Sequence, residues 1–464
     1  MDHTAQLQRI TRKLAEAMKV DWRLDVFGAS SHGYHLSSPL SERKAQAFEE
    51  RYSIQLPACY RAFVTRIGNG GKISSNPGAG PYYGVYPLGE SVDELVREAE
   101  TYLSRPAILH PRMTDEEWAK LNEPIEQYFN NRINGDSSTP VEILHDTDSR
   151  IYSGILPLGS QGCSFLHALV LNGPHAGKVV NLDTEGQKPK FAFENNFLDW
   201  YERWLDEVIA GILSSAQTSF GYTMGGDDAH LMRVYADAAP EDRLTRMDAV
   251  EGLAKLNRVS EETCATLLGL CNDSDAEPRR IAVRMLTKFA YPMAREPLLA
   301  HLAGDDADIL AACESLHWHA KGRAKEWIDP LRSCLPTVTS LETLRFASYV
   351  LNASHVDYSE DLRPFLQHPD QEFRAFAQSS LGNLSNKRDR VDLFLPGLED
   401  PSPQVVGTTI RALKGVQDER VTTALDRVRE RFKTDDQDIL AYLNHREKEM
   451  CGSLLDRLKK WLRR

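Results

Sequence analysis

From Glu42 to Ile67 apolar positions recur at helical spacing in two runs separated by a Leu-Pro pair. Ala45, Phe48 and Tyr52 form one stripe, and Tyr60, Phe63, Val64 and Ile67 form another. The pattern predicts two helices. Ser41 is placed to cap the first, with Glu42 in its first turn; Lys44 stands where a full capping box needs Glu or Gln. Pro57 suits the opening of the second helix but not a helix interior, and Gly68 to Gly71 end it. Upstream, Leu7, Ile10, Leu14 and Met18 predict an amphipathic leader helix. Downstream, Ser164 to Leu171 and Lys178 to Asp183 read as strands. The stretch from Ser91 to Asp148 reads as an insertion that starts helical (VDELVREAETYL) and ends in a polar loop (NNRINGDSSTP).

Past residue 230 strand signals vanish and helix pairs repeat. Units that run leucine, polar turn, amphipathic helix begin at Leu270, Leu302, Leu335, Leu366 and Leu398, at spacings of 32, 33, 31 and 32 residues. Ala282, Ala311, Ala377 and Thr408 supply a small residue where neighbouring helices must approach. The third unit (LPTVTSLETLRFASYVL) lacks the turn aspartate of the others. Such pairs cannot bury a face alone, and stacking gives them a continuous core. In the last segment, LLDRLKKWLRR, Leu454, Leu455, Leu458, Trp461 and Leu462 share one side among basic residues. A cap on the final repeat explains this better than a membrane-surface helix, because the run is short and the rest of the chain acidic. The Ser-, Thr- and Gly-rich stretch SSAQTSFGYTMGGDDAH is the expected linker.

The order of elements in the first half resembles the SUKH superfamily, the Smi/Knr-type domain. Its Leu-Pro, aromatic and Asn-Gly-Gly pattern falls on Leu56, Pro57, Tyr60, Phe63, Asn69, Gly70 and Gly71. Gly154 to Gly159 (GILPLG) is similar to its turn-and-strand, and Phe191 to Trp204 (FAFENNFLDWYERW) to its closing helix. The second half resembles HEAT repeats, with Arg280 and Ala282, and Arg374 and Ala377, following Asp-rich turns. These resemblances imply an α+β SUKH-like domain, with a mixed sheet and flanking helices, followed by an all-α solenoid. The expected boundaries are a leader over 1–24, the SUKH-like domain over 25–212, a linker over 213–230, and repeats with a terminal capping helix over 231–464.

At 464 residues the chain needs more than one core. Composition is that of a globular protein, 41% hydrophobic and 26% charged, with mean hydropathy −0.43. No apolar run reaches membrane-helix length, and the N-terminus lacks a signal-peptide core, so a cytosolic location is expected. Cys59, Cys163, Cys264, Cys271, Cys313, Cys334 and Cys451 include no C-x-x-C pair and read as small thiols in a reducing compartment. Net charge is −12, with 21 basic against 28 acidic residues before residue 224 and 34 against 39 after it. An acidic surface disfavours nucleic acid and favours basic partners.

Catalytic patterns are scarce. The chain has no Walker, zincin, nucleophile-elbow or Rossmann signature. His317 and His319 diverge on a helix, and His32 and His35 lie in a loop that holds no Cys or acid to complete a ligand set. Asp305, Asp306 and Asp308 form a possible carboxylate pair but occupy a turn where aspartate caps the next helix. Asn69, Gly70 and Gly71 reverse the chain or cradle an anion through backbone donors. Tyr82, Tyr83 and Tyr86, among glycines, suit protein recognition or pack the sheet. No enzyme activity, cofactor or metal is expected.

The SUKH resemblance implies an immunity-type protein that binds and neutralises a cognate toxin, with a basic toxin domain as partner and Asn69, Gly70, Gly71, Tyr82 and Tyr83 as contact residues. One alternative is a scaffold or regulator, like the fungal cell-wall assembly members, recruiting partners through the repeats. A remoter one is a DNA glycosylase of the HEAT type. That would need a basic, aromatic-lined face, and the repeats carry excess acid.

Overall fold

Ser41 caps the first of the two predicted helices, its Oγ accepting from Lys44 N–H at 3.4 Å, and Ser53 ends it in the left-handed region. The structure, a computed structural model, describes residues 3–133, 140–214, 220–433 and 438–446. Contacts divide the chain into two compact units, Met1–Asn257 and Arg258–Arg464.

The first unit carries α1 (Thr4–Val20), α2 (Glu42–Tyr52), α3 (Ala58–Arg66) and the single-turn α4 (Val92–Leu95) and α5 (Ala99–Tyr102). Then come α6 (Asp115–Ile133), α7 (Val141–Ile151), β1 (Ile155–Gly162), β2 (Phe165–Val170), β3 (Val179–Asp183), β4 (Lys190–Phe191), α8 (Phe197–Ile209), α9 (Asp228–Asp237) and α10 (Arg243–Gly252). The sheet is not mixed as expected. It is an antiparallel meander in the order β1-β2-β3-β4, with Leu156 opposite Leu169 and Ala168 opposite Val180. Only Cys163 and Ser164 separate β1 from β2, and a connection that short can join only antiparallel strands.

Helix α8 is buried almost all round. Phe197, Trp200, Tyr201 and Trp204 are each within 1% of complete burial. Phe63 on α3 meets Tyr201 at 4.7 Å and Phe197 at 5.0 Å, so the Leu-Pro helix and the closing helix share one aromatic core. The leader is part of this unit. Leu7, Ile10 and Ala17 are buried, and Arg9 and Lys13 pair with Glu202 of α8 at 2.8 and 2.9 Å. Helix α6 extends through Asn130 to Ile133, the start of the expected polar loop, and residues 134–139 lie outside the described residues.

The described end of the expected linker is docked. Phe220 is buried against Trp200, and its carbonyl accepts from Tyr82 Oη at 3.0 Å. Gly221 O accepts from Asn181 Nδ2, and Thr223 O from Arg203 Nη2. Buried Lys255, just after α10, reaches Glu207 of α8 at 2.5 Å. The division between units accordingly falls at Asn257, later than composition implied.

The second unit comprises α11 (Glu261–Leu270), α12 (Ala276–Phe289), α13 (Tyr291–Leu302), α14 (Asp306–His319), α15 (Ile328–Cys334), α16 (Leu341–Ala353), α17 (Gln371–Gly382), α18 (Val391–Leu398), α19 (Pro403–Ala412) and α20 (Glu419–Arg431). Leu270, Leu302, Leu335 and Leu398 are buried at the unit starts. In the unit beginning at Leu366 the first helix shrinks to the 3-10 turn Phe365–Gln367. Ala282 and Ala377 are fully buried as expected. In the other two units the tight contact falls one residue later, on Ala312 and Thr409, with Ala311 and Thr408 half-buried.

Repeats are tied by ionic rungs. Arg280 reaches Asp308 at 2.6 Å and Asp305 at 2.9 Å, and Arg374 reaches Asp400 at 2.7 Å. Asp305 caps α14, accepting from Asp308 N–H at 2.8 Å, so the aspartate cluster serves capping and inter-repeat pairing. The unit without an aspartate borrows one. Asp306 accepts from Thr339 N–H at 2.7 Å and Thr343 Oγ1 at 2.8 Å, while Ser340 caps α16. The LLDRLKKWLRR segment and Cys451 lie outside the described residues.

Candidate protein-binding site

The segment Asn69 to Leu88 contains every contact residue expected from sequence, and the structure separates them. Gly70 has φ +55, and a Cβ there would fall 2.2 Å from Tyr86 O; one on Gly71 would fall 1.9 Å from Asn76 O. Both glycines are buried, and Asn69 Oδ1 accepts from Leu88 N–H at 2.9 Å. This turn is packed backbone, with its glycines demanded by close approach.

Tyr82 and Tyr83 point to opposite fates. Tyr82 is buried, and burial raises its phenol pKa. It is a core side chain, which corrects its assignment as a contact residue. Tyr83 is 37% exposed, meets Phe27 edge-on at 5.5 Å, and lies over Gly162, where a Cβ would come within 2.9 Å of its ring. Tyr86 is half-buried. Of this set, Tyr83 presents an aromatic face to solvent.

His32 joins the core as well. Its Nδ1 accepts from Tyr34 N–H at 3.0 Å, it packs edge-on against Trp204, and burial lowers its pKa to about 4. No group of three potential metal ligands occurs among the described residues.

Sequence reasoning missed a cleft of about 840 Å³ beside α8, within the first unit. Phe193, Ile212, Met224 and Val234 give it apolar walls, and Glu194, Asp199, Asp206, Glu207 and Asp227 give it negative charge. Arg203, the arginine of the cleft lining, is already committed: it pairs with Glu194 at 2.7 Å and Glu207 at 2.8 Å, and its guanidinium lies 5.0 Å from the Phe220 ring centre. Lys255 reaches the same Glu207, and burial, with the charge of Arg203 adding to it, lowers its pKa to about 8. This internal network balances itself and leaves the rim to Asp199, Asp206 and Asp227. Asp206 is held by Lys13, whereas Asp199 takes hydrogen bonds from the neutral amides of Gln6 and Asn196. Asp227 caps α9, accepting from His230 N–H at 2.8 Å. The signal present in the sequence was the charged spacing of α8, with Asp199, Arg203, Asp206 and Glu207 all reaching the cleft. The aromatic residues between them tied that helix to the core and drew attention from its outer face.

An α+β unit with an acidic cleft, joined to stacked helix pairs, has the architecture of a protein-interaction molecule. Residues 39–203 match the SMI1 / KNR4 family (SUKH-1), and residues 235–317 and 359–443 match HEAT repeats. The chain therefore carries a SUKH domain followed by HEAT repeats, families that are generally non-catalytic. The HEAT match is interrupted over residues 318–358, which hold the unit beginning at Leu335, the one without a turn aspartate. No curated protein matches the chain. Among solved structures, an X-ray structure of YibA from Escherichia coli aligns with TM-score 0.32 and 15% identity, over 48% of this chain and 93% of that one. The complex of CpcE and CpcF of phycocyanin lyase from Nostoc sp. PCC7120 aligns with TM-score 0.29 and 18% identity, over 47% and 94%. Among the described residues no helix is long and apolar enough to cross a membrane.

Proposed function

We propose that the protein is a cytoplasmic, non-catalytic immunity factor whose SUKH domain binds a basic toxin domain and blocks it. The observation that carries this reading is the acidic cleft beside α8. Two of its rim carboxylates, Asp199 and Asp206, sit on α8, a helix locked into the core, and the third, Asp227, is fixed as the cap of α9, so they are held in place before a partner arrives. A cationic surface approaching an acidic cleft gains in encounter rate and in register. Tyr83 adds an exposed aromatic anchor of the kind that concentrates binding energy. The SUKH match over residues 39–203 supports the immunity class.

The test is co-expression with the toxin encoded beside the gene. The wild-type chain is expected to protect cells. The Asp206→Asn/Asp227→Asn double variant keeps the α9 cap, because asparagine caps as well as aspartate, but removes rim charge and is expected to weaken protection. Failure of the wild-type chain to protect against any neighbouring toxin would refute the immunity reading and leave the scaffold, in which the repeats recruit partners.

A further inference from the structure

The second unit has a surface of opposite character. On α14 the residues Ile309, Ala312, Cys313 and Leu316 face the core, while Trp318 is 57% exposed. Tyr349 on α16 is 40% exposed, and Phe346 beside it is half-buried. His317 links the two helices, with its ring centre 4.6 Å from Trp318, 5.7 Å from Phe346 and 5.2 Å from Tyr349. A core position does not explain an indole left in water at this point. Large apolar groups gathered on a surface mark contact sites.

Cations frame these rings. Lys321 Nζ lies 5.5 Å from the Trp318 ring centre, and the Arg345 guanidinium lies 6.0 Å from that of Phe376 on α17. Burial lowers the pKa of His319, and the charges of Lys288 and Arg284 on α12 add to the effect, which places both near this edge. The acids here are Glu342, paired with Arg345 at 2.7 Å, and Glu314, near Arg284. In a chain of net charge −12, the cations named here, Lys321, Arg345, Lys288 and Arg284, outnumber the acids Glu314, Glu342 and Glu372, the last exposed on α17 one turn before Phe376.

We propose that the aromatic and cationic face of α14, α16 and α17 docks an acidic linear peptide segment that carries an apolar anchor residue. The rings take the anchor, and Lys321 and Arg345 take its flanking carboxylates. A nucleic acid strand fits less well, because it brings a phosphate at every nucleotide past Glu314 and Glu342, whereas a peptide can space its carboxylates to fall on the cations and leave uncharged residues opposite those acids. The proposal is independent of the toxin reading, which rests on the other unit.

The test uses the full chain and fluorescence anisotropy at low salt. The probe is a labelled peptide with a Phe-Leu pair flanked by runs of glutamate. Controls are the same peptide with Gly-Ser at the centre, its lysine-flanked counterpart, and an oligothymidylate of matching charge. Saturable binding of the glutamate-flanked probe is expected, weakened about tenfold or more by Trp318→Ala/Tyr349→Ala. Lys321→Glu, a surface charge reversal that leaves the core untouched, is expected to weaken it several-fold with an unchanged melting temperature. Absence of saturable binding, equal binding of the Gly-Ser control, indifference to both variants, or tighter binding of the oligothymidylate would each overturn the proposal.

Discussion

At the scale of single residues, two buried histidines contribute to the acid response of the first unit. His32 and His167 are buried neutral, each with its pKa lowered to about 4 by burial, against about 6.5 in an unfolded chain. His167 Nε2 lies 3.1 Å from Gly84 O, which requires the proton on that nitrogen. Between about pH 6.5 and pH 4 the unfolded chain binds protons that the folded one does not. The histidines' contribution is therefore full above about pH 6.5 and is lost as pH drops through that window, offset in part by Asp148, whose pKa burial raises to about 6 so that the folded chain takes up a proton there first. Urea midpoints at pH 7.5, 5.5 and 4.5 should decline in that order, and His167→Gln, which can still donate to Gly84, should flatten the decline. The tyrosine pair gives a second expectation. Tyr82→Ala removes a buried ring and should cost about 3–5 kcal/mol in chemical denaturation. Tyr83→Ala should cost less than about 1 kcal/mol and act on binding instead. Both tyrosines were visible in the sequence, but their opposite fates were not. Alternation along a strand separates inward from outward side chains, whereas Tyr82 sits in the left-handed region at φ +55, outside the sheet. The glycines were more legible: reversal of the chain after a helix explains Gly68 to Gly71, and close backbone approach shows why glycine is needed at Gly68, Gly70 and Gly71.

Among elements, the repeats behave as their spacing predicted. Leu381, at the end of α17, and Leu413, just after α19, are fully buried. Leu→Ala at either should cost about 2–5 kcal/mol and loosen neighbouring repeats as well, since each helix pair is half of the next one's core. Hydrogen exchange on the variants would register that spread, and protection lost only at the mutated helix would contradict it. The 3.6-residue pattern and the 31–33-residue period were legible because packing repeats them. The pairing of Asp306 with the following unit was not, because a side chain that reaches out of its own repeat leaves no mark on the period. The linker misled for a related reason. Small polar residues have little to bury, yet the Gly221 and Thr223 carbonyls satisfy Asn181 and Arg203, and Phe220 fills the space over Trp200. A fragment over residues 1–257 should consequently melt cooperatively. One over 1–213 should melt lower or fail to fold, because it loses Phe220 and leaves Glu207 without Lys255. Equal melting temperatures would return the boundary to residues 213–230.

Over the whole molecule, net charge hides a division of labour. A chain of −12 places carboxylates around a cleft in its first unit and cations around aromatic rings in its second. Composition announced the acidic sum, and the HEAT-like pattern announced a partner-binding surface. Neither located the cleft, which is assembled from the residues that lead into α8, from α8 and α9 with described residues between them, and from Thr245 and Leu256 beyond. The acidic cleft leads to the proposal that the first unit captures a basic protein electrostatically. The most direct measurement is the association rate of the full chain with the neighbouring toxin domain, in inactive form, across a salt series. The expected association rate falls steeply with ionic strength while dissociation changes little, and falls less steeply for Asp206→Asn/Asp227→Asn. Tight association that ignores both salt and those substitutions would contradict the proposal.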